Sequence, residues 1–166
     1  MAARDDFSET RFFDAVLDAQ ARDALSAASH RVSFTRGAVL MRQGDLGSSM
    51  FSIVSGKVSV SVREPGGDEE VAVLGPGEFV GEISLLTGER RSATVTAKGK
   101  VVALEIPKEA LAPLLGKAPH LATRLATLVH ERHAQLTQIH EDFKRWNSVG
   151  NTPAELAARM TAYYSG

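Results

Sequence analysis

Val58-Ser59-Val60-Ser61-Val62-Arg63-Glu64-Pro65-Gly66-Gly67-Asp68-Glu69-Glu70-Val71-Ala72-Val73-Leu74 is the stretch that decides the fold class. Val58, Val60 and Val62 alternate with Lys57, Ser59, Ser61 and Arg63, which is the period of a half-buried strand. Pro65-Gly66-Gly67-Asp68 reads as a hairpin turn, and Val71 and Val73 start the return strand. The same texture continues outward. Met50, Phe51, Ile53 and Val54 run up to Ser55-Gly56, and Gly75-Pro76-Gly77 makes another turn. Alternation returns at Ala93, Val95 and Ala97, then at Val102, Leu104 and Ile106. Eleven of the 14 glycines lie between Gly37 and Gly99. Short strands punctuated by glycine predict a small antiparallel barrel or sandwich over residues 31–107.

The flanks have a different period. Phe13, Val16, Leu17, Ala21, Leu25 and Ala28 recur every three or four residues, which predicts helix over 10–29, with Asp18 as a break. Beyond Pro107 the helical signals return. Pro119 suits a first helical turn, and Leu121, Leu125, Leu128, Arg132, Leu136, Ile139, Phe143 and Trp146 form one stripe. A long helix is therefore expected over 119–146. Thr152-Pro153-Ala154-Glu155 has capping-box spacing and opens a short helix in a tail of residues 147–166.

Composition narrows the function. The chain has 166 residues, 43% hydrophobic and 23% charged, so it is long enough to bury one core. A net charge of −1 supplies no global field for nucleic acid or an anionic membrane. The absence of cysteine excludes disulfides, thiolate catalysis and cysteine-held zinc, and it fits a reducing cytoplasm, the expected location. No apolar run is long enough for a membrane segment, and Met1-Ala2-Ala3-Arg4-Asp5-Asp6 is unlike a signal peptide.

The chemistry concentrates in Phe79-Val80-Gly81-Glu82-Ile83-Ser84-Leu85-Leu86-Thr87-Gly88-Glu89-Arg90-Arg91-Ser92-Ala93-Thr94-Val95. Glu82–Thr87 interrupts the strand pattern with a short helical turn that Gly88 can close. Its first amides lack internal partners, Gly81 permits close approach to the backbone, and Glu82 is an acceptor suited to a ribose hydroxyl. Arg91 offers a planar fork for phosphate oxygens. Together these describe a pocket for a sugar phosphate.

This segment resembles the phosphate-binding cassette of the cyclic nucleotide-binding domain family, including the nine-residue step from Glu82 to Arg91. Gly37-Ala38-Val39-Leu40, Gln43-Gly44-Asp45 and Phe51-Ser52-Ile53-Val54-Ser55-Gly56-Lys57-Val58 are similar to the family's early strands, so the resemblance covers about residues 10–146. It implies an α+β fold, an antiparallel β-barrel of the double-stranded β-helix or jelly-roll type flanked by N-terminal helices and a long C-terminal helix, and a domain over 1–146. It further implies that Glu82 and the Gly81 amide hold the ribose 2′-hydroxyl. The cyclic phosphate then meets Arg91 and the amides of Ser84 and Ser92, while Ile83, Ala93, Val71 and Val73 complete the ligand contacts. Arg90 replaces the family's usual proline. The Ser92 hydroxyl keeps cyclic GMP as a second ligand beside the favoured cyclic AMP.

Simpler readings stand beside these. Alone, Glu82 and Arg91 would read as a structural ion pair, but the surrounding cassette favours a ligand site. His120, His130, His133 and His140 lie on the long helix, off its apolar stripe, and read as a solvated face rather than a metal site. Arg132 has two readings: its stem covers the core with its head in water, or its guanidinium stacks on the exposed purine, as an arginine does in some family members.

The function expected is a cyclic nucleotide sensor, not an enzyme, that couples binding to movement of the C-terminal helix. Its output would be a channel or another effector domain, and the C-terminal helix leaves room for a homodimer. A cyclic AMP receptor-type transcription regulator is the alternative. Direct nucleic-acid binding is not expected, since only 20 residues with one basic side chain, Arg159, follow Trp146. A cupin-like metal enzyme would need histidines inside the barrel, and residues 31–107 contain none.

Overall fold

The computed structural model describes residues 17–118, 120–139 and 152–165. The first element among the described residues is helix α1 (Ala19–Ala27). Asp18, expected as a break, stands at the N-cap: its Oδ1 accepts from the Ala21 amide at 2.8 Å and so caps the first turn. Of the helix expected over 10–29, residues 10–16 lie outside the described part.

Eight strands follow: β1 (His30–Phe34), β2 (Val39–Met41), β3 (Ser49–Ser55), β4 (Val58–Glu64), β5 (Gly67–Leu74), β6 (Phe79–Val80), β7 (Thr94–Ala97) and β8 (Val101–Pro107). They pair antiparallel in two four-stranded sheets, ordered β1-β8-β3-β6 and β2-β7-β4-β5. This is the expected jelly roll within an α+β fold, but the sheets do not close into a barrel. The chain crosses between sheets through turns, and no ladder joins their outer strands, so each sheet keeps two edges.

The hairpin is tighter than its sequence suggests. Glu64 pairs with Gly67, so Pro65-Gly66 alone makes the turn, and β5 begins well before Val71. The register then slips, because Val60 faces Ala72 while Ser61 faces Glu70. Val71 is the extra residue of this bulge. Val71 and Ala72 are consequently both buried, and Val73 shares the outer face with Ser59.

The sheet containing β3 and β8 is covered on both faces, which explains why nearly all of β3 is buried. Phe51, Ile53, Val101 and Ala103 meet Val58, Val60, Val95 and Leu74 in the core between the sheets. Met50, Phe79, Leu104 and Ile106 join the helices in a second core.

Four helices complete that second layer: α2 (Glu82–Thr87), α3 (Lys108–Lys117), α4 (Leu121–Ile139) and α5 (Pro153–Ser165). Of the long helix expected over 119–146, Pro119 and residues 140–146 lie outside the described part, as do the side chains of Leu136, Ile139, Phe143 and Trp146. The buried face of α4 runs through Leu121, Ala122, Leu125, Ala126, Val129 and His133. Leu128 and Arg132, expected on the stripe, lie half-buried at its edge. The displacement follows from α5, which packs along α4 and covers its neighbouring face.

The capping box opening α5 is formed. The Glu155 amide donates to Thr152 Oγ1 at 3.2 Å, and Glu155 Oε1 accepts from the Thr152 amide at 3.0 Å. Leu156, Ala157 and Met160 of α5 enter the same apolar core as Leu85, Leu86 and Val129. Among the described residues, no helix is long and apolar enough to cross a membrane.

Candidate functional site

Helix α2 is held between two glycines in the left-handed region, Gly81 at φ 84° and Gly88 at φ 76°. Such angles are strained for most residues with a Cβ, so glycine is favoured at both ends. Leu85 and Leu86 anchor the helix in the core, at 0% and 1% exposed. Burial of each such side chain is worth about 1.5–3 kcal/mol.

The end of α5 clasps this short helix. Tyr164 Oη donates to the Leu85 carbonyl at 2.7 Å, the Tyr163 ring fills the space beside Gly88, and Arg159 pairs with Glu89. The Lys108 ammonium lies 3.8 Å from the Tyr163 ring centre, a cation–π contact. Burial raises the pKa of the Tyr164 phenol well above the ordinary tyrosine range, with smaller contributions from Tyr163 and Glu109.

The structure brings the two central predicted residues together. Glu82 is 2% and Arg91 7% exposed. The guanidinium of Arg91 lies between two glycines: a Cβ on Gly47 would fall 2.3 Å from Nε, and one on Gly81 would fall 2.7 Å from Nη1. Its main chain is pinned as well. The Arg91 amide donates to the Asp45 carbonyl at 2.8 Å, and its carbonyl accepts from the Gly44 amide at 2.8 Å. The Gln43-Gly44-Asp45 motif thus serves as the mount for Arg91. Nη1 donates to the Ser49 carbonyl at 2.6 Å and to the Gly81 carbonyl at 3.4 Å, and Nη2 to Ser49 Oγ at 3.3 Å. Ser49 Oγ in turn donates to Glu105 Oε2 at 3.0 Å.

Burial pulls the Arg91 pKa below the ordinary arginine value, while the charges of Glu105 and, less strongly, Glu82 oppose that pull. The result is a fixed, partly desolvated cation beside a buried carboxylate, with bare backbone on either side of the guanidinium. An anion joined to a hydroxyl-bearing group fits that arrangement. Arg90 is exposed and donates to the Gly44 carbonyl at 3.0 Å.

The other predicted residues are distributed around it. Gly81 and Ser84 are buried, Ile83 and Ser92 half-buried, and Ala93 is fully buried in the core between the sheets. Val71 is also in that core, whereas Val73 faces outward. Arg132 forms an ion pair with Glu78 in the turn before β6, and burial lowers its pKa.

His133 departs from the solvated position expected for it. It is 6% exposed, and its Nε2 lies 2.7 Å from Glu82 Oε1. His130 is exposed, so the two histidines do not share a site. The sequence reading missed His133, Gly47, Ser49 and Glu105. A stripe through Ala122, Ala126 and Val129 would have reached His133. No local pattern marks Ser49 or Glu105.

The sequence model of the cyclic nucleotide-binding domain matches residues 31–118. The cyclic AMP receptor protein of Thermus thermophilus is 37% identical over 110 residues, covering 66% of this chain and 50% of the receptor. A cyclic nucleotide-gated potassium channel of Mesorhizobium japonicum is 41% identical over 86 residues, covering 52% of this chain and 22% of the channel. The solved N-terminal domain of a transcriptional regulator from Streptomyces coelicolor superposes with a TM-score of 0.63 at 32% identity, covering 77% of this chain and 90% of that one. The chain spans half or less of the length of the curated relatives it matches. With more than half of its length, residues 31–118, matched by that model, the chain belongs to the cyclic nucleotide-binding domain family.

Proposed function

We propose that this chain is a regulatory sensor that binds cyclic AMP preferentially and cyclic GMP second. Glu82 accepts from the ribose 2′-hydroxyl, and Arg91 takes the cyclic phosphate together with the amides of Ser84 and Ser92. The observation that carries this reading is the guanidinium of Arg91 buried between Gly47 and Gly81, beside the buried Glu82. A purely structural ion pair has no need of two side-chain-free positions around its cation.

Binding is coupled to movement of α4. Arg132 is held by Glu78, so capping the purine requires it to exchange that carboxylate for the ring. The difference in ligand affinity between the two arrangements is what an attached channel or other effector receives. The module is read as a receptor and not a catalyst. A second reading, the sensor half of a transcription regulator, is favoured by the match to 90% of the Streptomyces domain.

Calorimetric titration with cyclic AMP, cyclic GMP and 5′-AMP tests the proposal. The two cyclic nucleotides give saturable binding, tighter for cyclic AMP, and 5′-AMP binds much more weakly. Equal affinity for 5′-AMP and cyclic AMP, or no binding of either cyclic nucleotide, rejects it.

A further inference from the structure

The two oxygens of Glu82 differ in their surroundings. Oε1 lies 2.7 Å from Nε2 of His133, and both side chains are buried. A carboxylate only accepts, so Nε2 carries the proton and donates. Oε2 is buried as well and has no hydrogen-bond partner among the described residues. The neighbouring cation is engaged elsewhere: Nη1 and Nη2 of Arg91 donate to Ser49 and Gly81. A buried carboxylate oxygen without a donor is costly, and a donor arriving with a ligand removes that cost. The terminal torsion of a glutamate is broad and has no strong preference of its own, so something must fix the carboxylate plane if an oxygen is to be held toward a ligand. The bond from α4 does so.

We propose that His133 is a positioning residue: it holds Oε1 of Glu82 so that Oε2 is presented to a ligand hydroxyl, and it thereby sets the preference for ribose over 2′-deoxyribose. This rests on the reading of Glu82 as the ribose acceptor. Because one carboxylate joins the ligand to α4, filling Oε2 and docking α4 reinforce each other.

The test is titration of the wild type, His133→Met and His133→Gln with cyclic AMP and with 2′-deoxy cyclic AMP. Methionine keeps bulk without a donor, and glutamine keeps an N–H donor. The wild type prefers the ribose form by roughly 10–100-fold, as expected for a hydrogen bond to a charged group. In His133→Met that ratio collapses to within about threefold, and His133→Gln restores most of it. Retention of the ratio in His133→Met, or equal weakening of both ligands with the ratio unchanged, overturns the proposal. So does a wild type that binds both forms equally. If His133→Met does not fold, His133→Asn, whose amide is too short to reach Oε1, takes its place, and a retained ratio there is equally fatal. A wild type that binds neither nucleotide fails before any variant is made, which marks the reading of the site itself as the error and removes this proposal with it.

Discussion

A Cβ on Gly47 would lie 2.3 Å from Nε of Arg91, so the loop before β3 and the cassette arginine occupy shared space. The atoms in conflict are the far end of a flexible side chain. Gly47→Ala should therefore fold normally while pushing the guanidinium out of place. Cyclic AMP affinity is expected to fall by roughly 10–100-fold, within the range for a misplaced buried charge contact. Titration beside a thermal melt checks this. Unchanged affinity in a folded variant would show that the guanidinium does not touch the ligand.

The two adjacent arginines should behave unequally. Arg91 is buried and mounted on Gly44 and Asp45, whereas Arg90 is exposed. Arg91→Ala is expected to cost about 2–5 kcal/mol of cyclic nucleotide affinity by leaving the phosphate unpaired. Arg90→Ala should cost less than ~1 kcal/mol. Equal losses in side-by-side titrations would mean that the spacing from Glu82 has selected the wrong residue.

Arg132 can cap a purine only by leaving Glu78. Arg132→Ala should weaken cyclic AMP by about 0.5–2 kcal/mol, the range of a cation–π contact, and should accelerate dissociation more than it slows association. Hydrogen exchange of residues 121–139 should slow when cyclic AMP is added. Slowing confined to the cassette would leave α4 as a static brace.

The jelly roll and the cassette were legible because both are written locally. Alternation in β4 survives any packing, and the step from Glu82 to Arg91 is counted within one segment. The rest depends on partners distant in the chain. The bulge at Val71 arises from pairing register, which turned Val73 outward and Ala72 inward. The buried face of α4 depends on α5 lying along it, so a stripe drawn through Leu128 and Arg132 missed the bond from His133 to Glu82. Ser49 and Glu105 meet Arg91 only because β3 and β8 pair side by side.

The capping box of α5 supplies a prediction on stability. Thr152→Ala removes an N-cap and should cost about 0.5–2 kcal/mol. Hydrogen bonds from Thr152 depress the pKa of Glu155 below the ordinary carboxylate range. A depressed folded-state pKa gives stability that is present above the unfolded pKa and lost as pH falls through the folded one. The variant keeps the backbone amide of residue 152 and loses only the hydroxyl, so its gap from the wild type should be largest at neutral pH and narrow under acid to the part owed to the lost cap bond from the Glu155 amide. Thermal melts across that range measure it, and a gap that widened on acidification would exclude this origin.

Gly88 meets two demands at once: its φ of 76° disfavours any side chain, and the Tyr163 ring occupies the place a Cβ would take, 2.4 Å from its nearest atom. In a combinatorial mutant library the two demands separate. Shrinking Tyr163 opens room but leaves the backbone angle unrelieved, so a substituted Gly88 keeps that part of the cost after the space is made. Gly47, whose conflict is only with a movable side chain, is open to compensation. The cassette thus has one border where a second-site change can restore the fit in full and one where it restores only part.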